Sequence, residues 1–124
     1  MEASSTISLW SDRPQWEWPT GKISPGLYWW KDILTRELGD DQRVGIAMMR
    51  ANASATGLEC DGWLSLEQAT EKKGRIFVSG YVDLDDGEVG NGQLKIIGGD
   101  GDYDGHSGTV ELTRENPKRY VIPL

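Results

Sequence analysis

One segment constrains the fold of this chain more than any other. Residues 96–110 read IIGGDGDYDGHSGTV, and every residue between Gly98 and Gly105 except Tyr103 is glycine or aspartate. Such residues adopt positive φ angles and tight backbone reversals that other residues resist, and they add little to an apolar core. The segment therefore predicts a tightly folded connection, after which strand-like sequence resumes at Thr109.

The rest of the chain reads as short strands between turn signals, spaced about a dozen residues apart. Closing seven or eight antiparallel strands into an up-and-down barrel removes the exposed edges of the sheet. The sequence therefore predicts an all-β fold, a small antiparallel β-barrel of about eight strands. A two-sheet sandwich is the alternative, because periodicity alone does not separate the two. Strands are expected at 6–11, 15–18, 27–36, 43–53, 58–67, 75–84, 93–97, 108–114 and 119–124.

Length and charge bound the function classes. The 124 residues predict a single domain, 1–124, and the net charge of −7 argues against binding to nucleic acid or to an anionic membrane. No apolar run approaches the ~20 residues of a membrane span, and the first residues lack a signal-peptide pattern, so we expect a cytoplasmic protein. One cysteine and one histidine exclude an internal disulfide and leave little for a metal site. We expect no metal and no cofactor.

Five of the six tryptophans, at positions 10, 16, 18, 29 and 30, lie in the first quarter of the chain. One interpretation is a core or end plug built from indoles, and the other is the wall of a ligand cavity. Pro14 and Pro19 interrupt this region. We therefore treat residues 1–25 as a Trp-rich segment and as a candidate lid over the barrel mouth.

Two predicted strands alternate clearly, but the alternation does not say which face is inside. Simple apolarity puts one set of side chains inward: Cys60, Leu64, Leu66, Ile76, Val78 and Val82. A barrel that holds a ligand can instead be amphipathic inside, with its apolar outer face covered by other structure. On that interpretation, which we favour, Trp63, Phe77 and Tyr81 line the cavity. A dimer interface on the outer face is the competing account of those aromatics.

Three stretches resemble the allene oxide cyclase and dirigent family, and they occur in the family's order. They are GDDQRVGIAMMRANA, the pair CDGWLSLE and KGRIFVSGYVDL, and GGDGDYDGHSGTV. In the last, Asp100 stands for the family's Thr and Tyr103 for its aromatic residue. The resemblance covers most of the chain after Leu27, and in character the chain is most similar to bacterial natural-product cyclases that form spirotetronates and decalins by 4+2 ring closure.

The resemblance implies a small barrel and a cofactor-independent cyclase. Such an enzyme would fold a linear, largely apolar intermediate, with a polyketide as the expected class, and promote its ring closure. It also implies a homodimer. A barrel that only binds a small molecule, or a dirigent-like barrel, is the alternative, because catalysis by shape leaves no motif.

The candidate site is built from aromatic and sulfur-bearing side chains. We expect Tyr81 and Trp63 to be catalytic, because phenol and indole groups donate hydrogen bonds while staying largely apolar. The expected substrate-binding residues are Trp16, Trp18, Tyr28, Trp30, Met48, Met49 and Phe77.

Other polar residues have simpler interpretations. His106 is read as a turn histidine and Cys60 as a structural thiol, while calcium binding by Asp100, Asp102 and Asp104 is the less favoured interpretation of those aspartates. One carboxylate turned inward, Asp32 or Asp61, is a further candidate for polarising a substrate.

Overall fold

A computed structural model describes residues 5–11, 25–37, 39–85, 88–89, 91–113 and 118–124. These residues form nine β-strands and one 3₁₀ turn, and no α-helix occurs among them. The strands lie at positions that the sequence predicts, except that β6 falls in a segment expected to be a loop. The strand expected at 15–18 lies outside the described residues. In chain order the strands are β1 (Thr6–Ser11), β2 (Gly26–Leu34), β3 (Gly45–Ala53), β4 (Gly57–Ser65), β5 (Arg75–Asp85), β6 (Glu88–Val89), β7 (Gly92–Gly99), β8 (Thr109–Thr113) and β9 (Lys118–Pro123).

The strands form one continuous antiparallel sheet in the order β1-β9-β8-β7-β5-β4-β3-β2, with β6 paired to β5 off this path. The two ends of the sheet meet where Trp10 and Thr35 exchange two backbone hydrogen bonds of 2.9 Å. We call this meeting point the seam. The predicted all-β barrel is thereby confirmed, and the two-sheet sandwich is excluded because all eight strands of the path belong to one curled sheet.

Aliphatic side chains fill the inside of the barrel. Every strand of the path contributes to one buried cluster, from Leu9 on β1 and Ile122 on β9 to Leu34 on β2. The set that simple apolarity places inward is the buried set, and each of its members is at most 3% exposed. The favoured prediction that the aromatic set faces inward is wrong: Trp63, Phe77 and Tyr81 lie on the outer face. Aliphatic side chains from neighbouring strands fill the interior of a barrel of this size, so the aromatic rings of Trp63, Phe77 and Tyr81 have no room inside.

One polar cluster lies within this interior. Asp32 on β2 is fully buried, and its carboxylate accepts hydrogen bonds from Ser11 Oγ at 3.0 Å and from the hydroxyl of Tyr120. The three side chains belong to β2, β1 and β9, the strands around the seam. Of the two candidate carboxylates, Asp32 is therefore the one that turns inward. Because a buried carboxylate needs donors, this cluster ties the two ends of the sheet together.

The Gly/Asp segment forms a docked connection, as predicted. Asp100 accepts hydrogen bonds from the Arg75 backbone N–H at 2.6 Å and from its guanidinium at 2.8 and 2.9 Å, and Asp102 accepts one from the Lys73 N–H at 2.8 Å. Gly74 makes this approach possible, since a Cβ there would lie 2.1 Å from the Asp100 carbonyl oxygen. These aspartates thus hold the β4–β5 connection, and no cluster of three or more metal-ligating side chains occurs in the described ranges.

His106 has a structural role in the same connection. Its Nε2–H donates to the Pro123 carbonyl oxygen at 2.8 Å, and its ring packs edge-on against Tyr103, with centroids 5.6 Å apart. Tyr103 is itself buried, and its hydroxyl lies 2.5 Å from Thr70 Oγ1. His106 therefore lies in the loop where the sequence places it, and there it is half-buried and in structural contact.

The Trp-rich N-terminal segment is described only in part. Thr6–Ser11 is a barrel strand paired with β9, so Trp10 belongs to the wall and not to a lid, and its ring packs beneath the Arg119 guanidinium at 5.3 Å. Trp16 and Trp18 lie outside the described residues. Within the described part of the chain, no helix is long and apolar enough to cross a lipid bilayer.

Candidate functional site

The strand register aligns the outer side chains in rows that run across the sheet. One row joins three apolar side chains, Met48, Trp63 and Phe77 on β3, β4 and β5, and ends at Lys31 on β2. The next row joins Trp29, Arg50 and Asp61, followed by Ser79, and the row after that joins Leu27, Asn52, Glu59 and Tyr81. Side chains of directly opposed residues contact each other, so the members of each row form a continuous strip across the sheet. Apolar, charged and mixed rows thus lie side by side.

A groove of about 390 Å³ lies over the apolar row, and we call it the aromatic groove. Its size lies within the range of small-molecule sites, and its walls are mostly aromatic or sulfur-bearing. Two of its walls are well exposed, since Trp29 is 53% and Ile97 63% accessible. The residues that line it are Trp29, Met48, Met49, Arg50, Asp61, Gly62, Trp63, Phe77, Val78 and Ile97.

Two local departures from regular strand geometry shape this groove. A Cβ at Gly62 would lie 2.1 Å from the Met48 carbonyl oxygen and 2.6 Å from Met49 Sδ, so only glycine permits the close approach of β4 and β3 there. On β7 the register shifts: Phe77 pairs with Gly98 and Val78 with Ile96. Ile97 is the extra residue of this bulge. Bulges redirect side chains, and this one presents Ile97 as the far wall of the groove.

Charged pairs hold both ends of the aromatic groove. At one end Arg50 binds Asp61 through two parallel hydrogen bonds, Nε to Oδ1 at 2.8 Å and Nη2 to Oδ2 at 3.0 Å. These bonds raise the pKa of Arg50 above its ordinary value. At the other end Arg75 lies 5.6 Å from the Trp63 ring and 5.2 Å from the Phe77 ring, within cation–π range. Asp100 holds the Arg75 guanidinium in place through hydrogen bonds, so the Trp63 and Phe77 rings pack against a cation of fixed position.

A second groove adjoins the first, and we call it the polar groove. It also measures about 390 Å³, and it shares Arg50 and Asp61 with the aromatic groove. Its remaining lining residues are Leu27, Asn52, Glu59, Cys60 and Ser79. Burial, and to a smaller extent the charge of Asp61, raises the pKa of the Cys60 thiol to about 12, so this cysteine is not a nucleophile at neutral pH.

The structure brings some of the predicted site residues together and separates others. Trp63, Phe77 and Met48 share the aromatic groove, whereas Met49 is a core residue that reaches its floor. Tyr81 lies apart from Trp63, in a different groove of about 460 Å³, with its hydroxyl 2.8 Å from Thr56 Oγ1. Their functional roles stay predictions, but a joint catalytic role for these two residues is not what the geometry favours.

The structure describes the remaining predicted residues only in part. Tyr28 packs against the core cluster, and the backbone of Trp30 pairs with Met49. Trp16 and Trp18 fall outside the described ranges. Sequence reasoning missed Arg50 and Ile97 as lining residues, whereas Trp29 was a candidate cavity wall and Asp61 a candidate carboxylate. The alternation in β4 put Asp61 on the same face as Trp63, but only the strand register shows that Arg50 is its partner.

Comparisons with known proteins support the fold. No family model matches this chain, and no curated protein matches it. A solved structure of pyocyanin demethylase is similar, with a TM-score of 0.65 and 17% sequence identity over 97% of this chain and 98% of that chain. At this identity the likeness shows a shared barrel fold. The barrel that the sequence resemblance implies is therefore confirmed, whereas membership of the cyclase family remains a proposal.

Proposed function

We propose that this chain binds a small, flat, apolar molecule in the aromatic groove and acts on it chemically. The observation that carries the proposal is the groove itself, an apolar aromatic cleft of about 390 Å³ on the outside of a barrel. Since aliphatic side chains fill the interior, the groove is where a ligand of this size finds apolar walls. The similar solved structure is named a demethylase of pyocyanin, which agrees with small-molecule chemistry on this fold.

The groove is suited to a planar ligand because its rings are held in place. Trp63 and Phe77 are cross-strand neighbours pinned by Arg75, and Trp29 stands opposite them on β2. Offset or edge-on ring contacts add about 0.5–1.5 kcal/mol each beyond area burial. A two-ring ligand with two such contacts should bind with a Kd on the order of 10–100 µM in an open groove.

The finer proposal is the reaction. We infer a cofactor-independent ring closure of a linear, largely apolar intermediate, with a polyketide as the expected class. The groove walls would hold the chain in a near-attack shape, which in ideal cases lowers a barrier by roughly 7–11 kcal/mol. Arg50 at the groove edge would donate a hydrogen bond to a carbonyl that gains electron density. In an intramolecular 4+2 closure three π bonds become two σ bonds and one π bond, so no atom is lost and no redox partner is needed.

Binding is tested with 3-(2-naphthyl)propan-1-ol, a neutral two-ring probe, through the change in tryptophan fluorescence. Ile97→Ala and Trp63→Ala should each weaken binding, Trp63→Ala by on the order of tenfold, which corresponds to ~1.4 kcal/mol. Leu124→Ala is the matched control, because Leu124 is also an exposed aliphatic residue and does not line the groove. Equal affinities for all four proteins would contradict the proposed site.

Turnover is tested separately. The purified protein is incubated with a linear chain that carries a conjugated diene and an α,β-unsaturated ester, and a product of unchanged mass is followed by chromatography. A rate above buffer that falls in Trp63→Ala supports the cyclase. If the protein binds the linear chain but the reaction is no faster than in buffer, the protein is a carrier and the proposed cyclase activity is wrong.

A further inference from the structure

We propose that the polar groove receives a positively charged tail of the ligand, so that the ligand class is an apolar molecule that carries an amine on a short spacer. This inference rests on the proposed function, since the apolar part of the ligand would occupy the aromatic groove. It goes beyond the proposed function by stating that the ligand has a polar end and that this end is positively charged.

The two grooves form one continuous path along β4. Trp63, Asp61 and Glu59 occupy successive outer positions of that strand, the first in the aromatic groove, the second in both grooves and the third in the polar groove. Four residues of extended chain span roughly 13–14 Å, so Trp63 and Glu59 are that far apart along the strand. A ring system stacked on Trp63 and a spacer of about three carbons would bring a tail within reach of the Glu59 side chain.

The charge balance of the polar groove favours a cation. Its ionised side chains are Arg50, Asp61 and Glu59, and the first two neutralise each other in a two-point ion pair. Glu59 takes part in none of the ion pairs among the described residues, and its cross-strand neighbours Asn52 and Tyr81 are uncharged. One negative charge is therefore left over, within a chain of net charge −7.

Among the residues that the structure describes, the neighbouring cations do not cancel this charge. Arg75 lies at the opposite end of the aromatic groove and is paired with Asp100, while Lys95 on β7 faces Ser79 and does not line the polar groove. A carboxylate tail would be repelled by Glu59 and would find the charge of Arg50 already neutralised by Asp61. Leu27, which is 60% exposed, supplies an apolar wall for the spacer.

The test compares three probes with the same ring and spacer: 3-(2-naphthyl)propan-1-amine, the alcohol used above, and 3-(2-naphthyl)propanoate. We expect the amine to bind about fivefold more tightly than the alcohol and the carboxylate more weakly, as suits a partly exposed charge pair. The preference should shrink in 0.5 M salt, because exposed charges are screened there.

Two variants assign the preference to the polar groove. Glu59→Gln should abolish the advantage of the amine over the alcohol. Glu111→Gln makes the same change of charge on β8, which is separated from β5 by β7, and should leave the advantage intact. If the alcohol binds at a site sensitive to Trp63→Ala but the amine binds no better, or if both Glu variants act alike, this inference is wrong and the proposed function stands. If the alcohol itself does not bind, the proposed function fails with it.

Discussion

Replacing Tyr120 by Phe removes one hydroxyl from the polar cluster at the seam and changes little else. The Tyr120 side chain is fully buried on β9, and its hydroxyl donates to the Asp32 carboxylate on β2. At the seam β1 and β2 are also joined by the Ser11–Asp32 hydrogen bond and by the Trp10–Thr35 backbone pair. The substitution therefore weakens the closure of the barrel while preserving the packing of the ring.

The expected cost follows from the burial of the acceptor. A hydrogen bond to a charged group contributes about 1.5–3 kcal/mol, and here both partners are out of water, so we expect about 2 kcal/mol. Unfolding entropy of about 2.1 cal/mol/K per residue gives roughly 0.26 kcal/mol/K for a chain of this length. The melting temperature should therefore fall by about 8 °C.

Thermal and urea unfolding followed by circular dichroism measure this loss. Tyr81→Phe is the matched control, since its hydroxyl contacts Thr56 at an exposed site, and it should change stability by less than about 0.5 kcal/mol. A double-mutant cycle with Asp32→Asn should show a coupling of about 1 kcal/mol. Similar melting temperatures for Tyr120→Phe and Tyr81→Phe would refute the reasoning.

Three further predictions concern a thiol, an ion pair and assembly. Burial raises the pKa of Cys60 to about 12, so the native thiol should resist Ellman's reagent at pH 8 and react in guanidinium; fast labelling of the native protein would contradict this. Arg75 lowers the pKa of Asp100 below its ordinary 3.8, so the ion pair stabilises the fold above about pH 4 and is lost as the pH falls through the lowered value. The melting-temperature gap between wild type and Asp100→Asn should accordingly close between pH 5 and pH 2, and a constant gap would count against it. We also propose a homodimer that covers exposed apolar residues outside the aromatic groove, such as Tyr81, and light scattering giving 13.8 kDa would exclude it.

Local sequence determined where the strands and turns of this protein lie. The alternation in β4 and β5 and the glycines and aspartates of 98–105 act through nearest-neighbour sterics and short hydrogen bonds, so they can be read without knowing the fold. The same local character explains why His106 was correctly assigned to a turn. The all-β fold needs only this information, whereas the choice of a barrel over a two-sheet sandwich came from the single curled sheet of the structure.

Only the tertiary structure decided which face of the sheet is inside and where the groove lies. Alternation defines two faces for each strand, but the choice between them depends on how aliphatic side chains from eight strands fill one small interior. Trp63 therefore faces out and Asp32 faces in. The aromatic groove joins Trp29 to Ile97 across five strands, and their proximity follows from strand register and one bulge. Register is a non-local property, because each pairing brings together residues far apart in the chain, and a strand does not carry its partner's position in its own sequence.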